Sequence, residues 1–268
     1  TDGRVLKFCN KPHVNDFVSH NMVNAALFIF SPKVLEQIEV GTKSHIEKHV
    51  LPACLDKGMN LFGYVSFEYI KDMGTPDRFH EAETDMLKGL VYARNLKNKQ
   101  KAIFLDRDGT INKLAGFVTN PEQFELIQDV TDAIKLINKS GYLAIVVTNQ
   151  PVIARGDCTF EELQTIHDKM ETELGKKGAF VDAIYVCPHH TDKGFEGERP
   201  EYKCDCNCRK PKPGLFLQAA KEFNIDLSQS YMIGDSDSDI EAGRNAGVQK
   251  SLKIGTSEGK TFLNLVNL

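Results

Sequence analysis

Aspartates stand directly after two apolar segments of this chain. Asp106 ends the segment 102–106 and Asp108 follows two residues later, while Asp235 opens a second acidic group after the segment 230–234. Carboxylate oxygens are the ligands that Mg²⁺ prefers in proteins. A bare Asp-x-Asp pair is more often an ordinary polar turn, but two acidic groups at neighbouring strand ends favour a magnesium site.

A hydroxyl and an amine accompany these carboxylates. Thr148 ends the apolar segment 143–148, and Lys210 precedes a helix expected to begin near Pro213. A carboxylate can act as a nucleophile, a second can transfer a proton, and a cation can offset negative charge. Together these residue types would place a nucleophile, an acid, a hydroxyl and a cation around one metal ion.

Cysteine and histidine are concentrated in one short part of the chain. Cys187-Pro188-His189-His190 is followed by Cys204-Asp205-Cys206-Asn207-Cys208. A Cys-x-His pair and a Cys-x-Cys pair supply four ligands of the kind that hold structural zinc in a tetrahedron. The last three cysteines compete for two of the four positions, and their spacing alone does not choose between them.

The segments that must position these groups alternate between strand and helix. Short apolar runs predict strands at 102–106, 143–148, 182–187, 230–234 and 248–254. Helical periodicity predicts helices at about 127–140, 159–176, 213–224 and 237–246. Continuously apolar strands separated by such helices indicate an α/β fold with a doubly wound parallel sheet. Asp106, Thr148 and Asp235 would then lie at its carboxyl edge, where ligands bind.

A polar connector at 94–101 divides the chain into two parts. We place the domain boundary there, with a first domain over 1–97 and a second over 98–268. In the first domain we predict strands at 23–30 and 61–67, and helices after Ser31-Pro32, at 44–57 and at 78–92. This pattern is typical of a small α/β subdomain and is short for a complete catalytic domain.

Composition limits the classes of partner. The chain has 268 residues, with 33 lysines and arginines against 37 aspartates and glutamates, so its formal net charge is −4. That balance offers no general attraction to nucleic acid or to an anionic membrane. No apolar run approaches the ~20 residues that span a bilayer. Because clustered reduced cysteines are typical of a reducing compartment, we expect a cytoplasmic protein that acts on a small molecule.

Residues 101–255 resemble the haloacid dehalogenase superfamily of phosphotransferases, whose fold is a Rossmann-like sheet. Its four motifs occur in order as Asp106-x-Asp108-Gly109-Thr110, Thr148, Lys210 and Gly234-Asp235-x-x-x-Asp239. The resemblance implies that Asp106 attacks phosphorus to form an aspartyl-phosphate, and that Asp108 acts as general acid and then as general base. It also implies Mg²⁺ on Asp106, the backbone carbonyl of Asp108 and Asp235, with Thr148 and Lys210 on the phosphoryl group.

The zinc motif narrows the resemblance to heptose-bisphosphate phosphatases and the related histidinol-phosphate phosphatases. These relatives carry Cys-x-Cys directly before Arg-Lys-Pro, which implies zinc on Cys187, His189, Cys206 and Cys208. Cys204 would then be a spare thiol and His190 a non-ligand. Zinc would stiffen the loop 187–208, which delivers Arg209 and Lys210 to the phosphate.

The same resemblance implies a set of substrate-binding residues: Gly116, Phe117, Asn149, Gln150, Arg209 and Ser236. The runs that favour the heptose family are 106–112, 148–150, 153–156 and 187–190. The chain departs from that family at Phe117, where tyrosine is usual, at Pro151, where a small residue is usual, and at Ser236, where lysine is frequent. The missing lysine would remove a substrate cation, which leaves the sugar and its anomer open but not the acid-base chemistry.

The first ninety residues resemble the latter half of sugar-1-phosphate nucleotidyltransferases. The resemblance rests on 24–30, on Lys11-Pro12 after Asn10, and on Asp72-Met73-Gly74-Thr75-Pro76. It implies that Lys11 touches a sugar phosphate and that Asp72 binds a metal, although Thr75 and Pro76 also suit an ordinary helix cap. Since the Gly-rich nucleotide loop of that family does not occur here, we expect no nucleotidyl transfer by this chain, and an N-terminal nucleotidyltransferase half in the full-length protein.

The sequence is thus interpreted as a Mg²⁺-dependent, zinc-containing phosphatase. The resemblance implies removal of the C7 phosphate of D-glycero-D-manno-heptose 1,7-bisphosphate, in the supply of nucleotide-activated heptose for lipopolysaccharide and other cell-surface polysaccharide. A histidinol-phosphate phosphatase would use the same motifs. A scaffold without activity is the alternative from a different class, but it would have no chemical need for Asp106, Asp108 and Lys210 together.

Overall fold

A five-stranded parallel sheet organises the larger part of the computed structural model, which describes residues 3–8, 22–114 and 116–254. The strands are β1 (Ala102–Leu105), β2 (Leu143–Asn149), β3 (Ala183–Cys187), β4 (Tyr231–Gly234) and β5 (Lys250–Lys253). Every pair of neighbours is parallel, in the order β3-β2-β1-β4-β5. Each strand lies within two residues of its predicted bounds, and the α/β parallel-sheet prediction is confirmed.

Eight α-helices accompany the sheet in the described ranges. They are α1 (Leu51–Asp56), α2 (Pro76–Leu87), α3 (Leu90–Ala93), α4 (Val130–Lys139), α5 (Val152–Arg155), α6 (Phe160–Lys176), α7 (Gly214–Glu222) and α8 (Asp237–Ala246). The four helices predicted between strands correspond to α4, α6, α7 and α8. None of the helices in these ranges is long and apolar enough to cross a membrane.

Helices pack on both faces of the sheet, as its apolar strands require. Side chains alternate between faces along a strand. Leu105 of β1 belongs to one buried cluster with Ile134 of α4 and Met170 of α6. Phe104 faces the other way and packs against Phe216 of α7, with ring centroids 4.7 Å apart. The core therefore holds β1 rigidly from both sides.

The strand order reverses at β1. From β1 the chain moves outward through β2 to β3, and then returns to add β4 and β5 on the opposite side of β1. In doubly wound sheets the crevice for ligands opens at such a switch point, beyond the carboxyl ends of the strands. The residues that follow β1 and β4 are therefore the ones that this topology brings to a common site.

Among the described residues, those up to Phe67 form a compact unit of their own. Its helices are the 3₁₀ helix Pro32–Gln37, the single π-helical turn Ile46–Val50 and α1. Its small core contains Val34, Val50 and Cys54. The helices expected after Ser31-Pro32 and at 44–57 are thus present, in short and irregular form.

The strand predicted at 23–30 is wrong, since residues 22–30 have no strand. Leu27 and Ile29 of that segment are 80% and 103% exposed, so their apolar pattern is not part of a buried sheet face. At 61–67 there is one isolated antiparallel bridge, between Phe62 and Arg4, in place of a strand. A strand needs a partner for its backbone hydrogen bonds, and within the described part of this unit only that short pairing forms.

The second compact unit begins at Glu68, upstream of the predicted boundary. It includes α2 and α3, which occupy the helix predicted at 78–92. The connector that follows α3 is held to the sheet unit, because Arg94 forms an ion pair with Asp182 and both side chains are buried. The boundary between residues 97 and 98 stays a prediction, now with a clear physical test.

Candidate active site

The switch point of the sheet brings three carboxylates together. Asp106 directly follows β1 and Asp235 directly follows β4, while Asp239 lies in the first turn of α8. β1 and β4 pair in register, and the backbone N–H of Asp106 donates to the carbonyl of Ile233 at 3.0 Å. Carboxylate oxygens of the three aspartates lie within 4.8 Å of one another. This donor set of hard oxygens fits a divalent cation such as Mg²⁺.

Lys210 joins two of these carboxylates. Its Nζ donates to Oδ1 of Asp106 at 2.6 Å and to the carbonyl of Val147 at 2.8 Å, and it lies 2.6 Å from Oδ1 of Asp239. Burial alone would lower the pKa of Lys210, but the charges of Asp106 and Asp239 raise it above its ordinary value. Lys210 therefore stays a cation, placed against the carboxylate that would attack phosphorus.

Burial sets the protonation of the metal-free carboxylates. It raises the pKa of Asp106 to about 7, against the opposing effect of Lys210 and with a further increase from Asp239. Burial, followed by the charge of Asp239, also raises the pKa of Asp235. A cation bound between these groups would favour their ionised forms. The site is thus one that gains its full charge together with a metal.

The backbone after Asp108 approaches the acidic group so closely that only glycine fits. Gly109 has φ +80°, and a Cβ atom there would lie 2.1 Å from Oδ2 of Asp235. The left-handed conformation and the missing side chain are therefore both needed. They bring the loop 106–109 against Asp235, the first aspartate of the fourth motif.

The side chain of Asp108 points into a set of hydrogen-bond donors. Its Oδ1 accepts from Arg107 Nε at 3.1 Å and from Asn112 Nδ2 at 3.0 Å, and its Oδ2 accepts from Gln150 Nε2 at 2.7 Å. Gln150 also donates to the hydroxyl of Thr148 at 2.9 Å. The proposed acid, the hydroxyl residue and Gln150 therefore form one connected network.

Two predicted site residues support their neighbours in this structure. Asn149 Nδ2 donates to the carbonyl of Lys210 at 3.1 Å, and its Oδ1 accepts from the Lys210 backbone N–H at 3.0 Å. Ser236 caps α8, because its N–H and hydroxyl donate to Oδ2 of Asp239 at 3.0 and 2.6 Å. Their roles in substrate binding stay predictions; the observed contacts hold Lys210 and Asp239 in place.

Sequence reasoning left two site residues without a role. Asp239 is the last position of the fourth motif, and that motif alone assigns it no role. An acid three residues after a serine is nevertheless the signature of a capping box. The structure gives it both that cap and the ion pair with Lys210. Arg107 occupied an unassigned position between two aspartates, and it is fully buried beside Asp108.

The four predicted zinc ligands are brought together. Cys187 lies at the end of β3, and its Sγ is 3.6 Å from Sγ of Cys206 and 3.2 Å from Sγ of Cys208. His189 Nδ1 lies 3.3 Å from Sγ of Cys208. Zinc–sulfur bonds of about 2.3 Å in a tetrahedron require separations of this order. Cys204 is exposed and is not a member of the cluster, in agreement with its expected role as a spare thiol.

Burial and neighbouring thiols shift the pKa of Cys187 in the metal-free cluster. Burial, followed by the hydrogen bond with Cys208, raises the pKa of the Cys187 thiol. A cation bound between the three sulfurs and the imidazole would have all four as ligands and would favour the thiolate form of the cysteines. The donor set therefore fits zinc.

Arg155, which ends α5, is held between two aromatic rings. The guanidinium carbon of Arg155 lies 4.6 Å from the ring centre of Phe117 and 4.2 Å from that of Phe195. Arg209 Nη1 donates to the carbonyl of His189 at 3.1 Å, and His189 is one of the four predicted zinc ligands. Gly116 has φ +79° and turns the chain into Phe117. The contacts of these residues with a substrate stay predictions.

Asp72, which the nucleotidyltransferase resemblance assigns to a metal, makes local contacts before α2. Asp72 pairs with Arg78 and accepts from the N–H of Gly74 at 2.9 Å. Thr75 caps α2 and Pro76 is its first residue, as the helix-cap interpretation expects. Among the residues described, Asp72 belongs to neither of the two metal-capable groups. Asn10 and Lys11 lie outside the described residues.

Two family models match the chain. One, described as HAD-hydrolase-like, matches residues 207–260, and the other, described as nucleotidyl transferase, matches residues 1–89. These matches agree with the two resemblances found in the sequence. The first covers Lys210 and the Asp235 motif, and the second ends between α2 and α3, beyond the start of the second compact unit.

Curated proteins and a solved structure match a longer part of the chain than the first family model does. The D-glycero-beta-D-manno-heptose-1,7-bisphosphate 7-phosphatase of Pasteurella multocida is 43% identical over 173 residues, which cover 62% of this chain and 91% of that protein. The enzyme of the same name from Haemophilus influenzae is 43% identical over 162 residues, 60% of this chain and 85% of that protein. The crystal structure of the D,D-heptose 1,7-bisphosphate phosphatase from B. bronchiseptica, complexed with magnesium and phosphate, is 30% identical with a TM-score of 0.53, and covers 63% of this chain and 97% of that one. With the motif residues at one sheet edge and this similarity around them, the chain belongs to the heptose-1,7-bisphosphate phosphatase family of HAD-like hydrolases.

Proposed function

We propose that this chain removes the C7 phosphate from D-glycero-β-D-manno-heptose 1,7-bisphosphate. The observation that carries the proposal is the ion-paired Asp106–Lys210 couple at the β1/β4 switch point, with Asp108 two residues further on. The β anomer comes from the names of the curated relatives, which are 43% identical to this chain over 173 and 162 residues. The zinc cluster before Lys210 supports the same family.

Asp106 is the proposed nucleophile. Its carboxylate attacks phosphorus, the bond from phosphorus to the C7 oxygen breaks, and an aspartyl-phosphate forms. Lys210 holds Asp106 in place and offsets charge on the transferred group. Thr148, at the end of β2, is proposed to hydrogen-bond a phosphoryl oxygen.

Asp108 is the proposed acid and base. It donates a proton to the departing C7 oxygen, and its carboxylate then removes a proton from the water that attacks the aspartyl-phosphate. That second step releases inorganic phosphate and restores the Asp106 carboxylate. The two residues thus return to their starting forms in each turnover.

We further propose Mg²⁺ on Asp106, Asp235 and the carbonyl of Asp108, with Asp239 close to it. Bound there, Mg²⁺ would act as a Lewis acid on the phosphoryl oxygens. The donor set supports this assignment, and the B. bronchiseptica enzyme was crystallised with magnesium and phosphate. Zinc on Cys187, His189, Cys206 and Cys208 is proposed as a structural ion of the loop that precedes Lys210.

The match of segment 1–89 supports a reaction that comes before the activation of a sugar 1-phosphate. Heptose 1-phosphate, the product, is the kind of sugar 1-phosphate that a nucleotidyltransferase activates, and 1–89 matches that family. We keep the prediction that this chain carries out no nucleotidyl transfer itself. Release of pyrophosphate from a nucleoside triphosphate and heptose 1-phosphate would contradict it.

The test is phosphate release in Mg²⁺ from the β and α anomers of the bisphosphate and from histidinol phosphate. We expect kcat/KM for the β anomer to exceed that for histidinol phosphate by at least about a hundredfold, about 2.7 kcal/mol. Phosphorus NMR of the product should show that the C1 phosphate is retained. Asp106→Asn, which keeps the shape of the side chain, is the control that should abolish turnover. A preference for histidinol phosphate, or equal activity of Asp106→Asn, would overturn the proposal.

A further inference from the structure

Arg107 is a fully buried arginine directly behind the proposed acid. Its side chain has no exposed surface, whereas the Asp108 side chain beside it is 22% exposed. Two of its nitrogens reach the Asp108 carboxylate: Nε lies 3.1 Å from Oδ1, and Nη2 lies 2.9 Å from Oδ1 and 2.8 Å from Oδ2. This fork-to-carboxylate geometry defines the plane of the carboxyl group as well as its position.

His167 holds the guanidinium from behind. Nη1 of Arg107 lies 3.3 Å from Nε2 of His167, and the histidine is buried in α6. A guanidinium only donates hydrogen bonds, so Nε2 must be the acceptor and the imidazole is neutral. The arginine is therefore fixed at both ends, on Asp108 in the loop after β1 and on a helix of the core.

The cost of this arrangement is high for a purely structural role. A buried ion pair is weak support for stability, because desolvation of both charges offsets their attraction. Asp108, the partner of Arg107, is the proposed acid and base, so its activity depends on the orientation of its carboxyl group. Asn112 and Gln150 complete the set of donors around the same carboxylate.

We propose that Arg107 is the positioning residue of the acid-base step: it orients the Asp108 carboxyl group and makes no contact with substrate. The inference rests on the proposed function, because it assigns to Asp108 the proton transfers described above. Lysine cannot reproduce the two-nitrogen fork, although it keeps the charge. Arg107→Lys should therefore lower kcat about 10- to 100-fold with little change in KM, as expected for misplaced general acid-base catalysis.

A double-mutant cycle tests whether Arg107 acts through Asp108. Asp108→Asn should lower kcat by about 10²–10⁴-fold. If Arg107 works only through that carboxyl group, adding Arg107→Lys to Asp108→Asn should cause no further loss. Multiplicative losses in the double variant, or wild-type kcat in Arg107→Lys, would overturn the inference.

A matched substitution controls for damage to the fold. Arg94 is also a buried arginine paired with a buried aspartate, Asp182, but it lies at the amino edge of the sheet, opposite the site. Arg94→Lys should leave kcat unchanged. If Arg94→Lys and Arg107→Lys lower kcat equally, Arg107 has only a structural role and the inference fails.

The proposed function and this inference fail in different ways. If wild-type protein releases no phosphate from the heptose bisphosphate, the proposed function is wrong. The cycle is then measured with p-nitrophenyl phosphate, whose leaving group needs no acid, so that Asp108 acts only in the removal of a proton from water. The same criteria of additivity decide the inference with either substrate.

Discussion

Lys210 is the single cation among the carboxylates of the acidic group described above, and its removal is the simplest test of that group. Lys210→Met would leave Asp106 and Asp239 facing each other without compensation. We expect the metal-free protein to lose about 3–5 kcal/mol of unfolding free energy and kcat/KM to fall about 10²–10³-fold. Urea denaturation in buffer without Mg²⁺ and steady-state kinetics measure the two effects.

The control for that experiment is two residues away. Lys212 pairs with Asp205, but both side chains are largely exposed, so Lys212→Met should change neither quantity appreciably. Equal destabilisation by the two substitutions would show that the buried pairing of Lys210 has no special weight.

The raised pKa of Asp106 predicts a pH dependence of magnesium binding. In the metal-free protein burial raises that pKa to about 7, so below about pH 7 a proton competes with the metal for the carboxylate. The apparent Kd for Mg²⁺ should rise as pH falls from about 8 to about 6, by at most about tenfold per unit. Titration calorimetry in two buffers should show proton release on binding at the lower pH. A Kd that is independent of pH would contradict the prediction.

The raised pKa of Asp106 also makes the stability of the metal-free protein depend on pH. The folded-state pKa of Asp106 lies above its ordinary value of 3.8. This carboxyl group therefore adds stability that is fully present below about pH 4 and is lost as pH rises through about 7. Since the metal reverses that preference, Mg²⁺ should stabilise the protein more at neutral than at acid pH.

At the scale of elements, the loop 187–208, which contains the four proposed zinc ligands, joins β3 to Lys210. Cys208→Ser removes a ligand of the cluster two residues before the cation of the active site. We expect loss of bound zinc, and a fall in kcat/KM of about 10²-fold because Lys210 and Arg209 are no longer held in place. Elemental analysis and kinetics on the same sample measure both.

Cys204→Ser is the matched control for that loop. Cys204 belongs to the same run of cysteines but is exposed and outside the cluster. It should keep its zinc and its activity. If Cys204→Ser loses zinc and Cys208→Ser keeps it, the ligand set is wrong.

Strands and helices that pack against neighbours on all their apolar faces were predictable from the sequence. β1 and β4 are continuously apolar because both faces are covered, and Ser236 with Asp239 marks the start of α8. The segment 23–30 has the same apolar composition but pairs with no strand in the part of the chain that the structure describes, and composition does not reveal whether a partner exists. The residues with catalytic types, Asp106 and Lys210, were likewise predictable. The role of Arg107 was not, because it depends on a packed neighbour, His167, sixty residues away.

At the scale of the molecule, the limits of the phosphatase unit can be tested by truncation. A chain that begins at residue 98 loses Arg94 and leaves Asp182 buried without its cation; burial already raises the pKa of that carboxyl group against the effect of Arg94. We expect it to be about 3–5 kcal/mol less stable to urea than a chain that begins at Glu68, where the compact unit starts. Equal stability of the two chains would support the boundary between residues 97 and 98.

The acidic group at the switch point also dictates an order of events. With Asp106, Asp235 and Asp239 ionised and Lys210 protonated, three negative charges and one positive charge leave a surplus of two negative charges. A phosphate dianion meets repulsion there until a divalent cation has brought the local charge to zero. The protein should therefore bind its ligands in a fixed order, with Mg²⁺ first and the sugar phosphate second. At low Mg²⁺, inorganic phosphate should no longer inhibit the reaction.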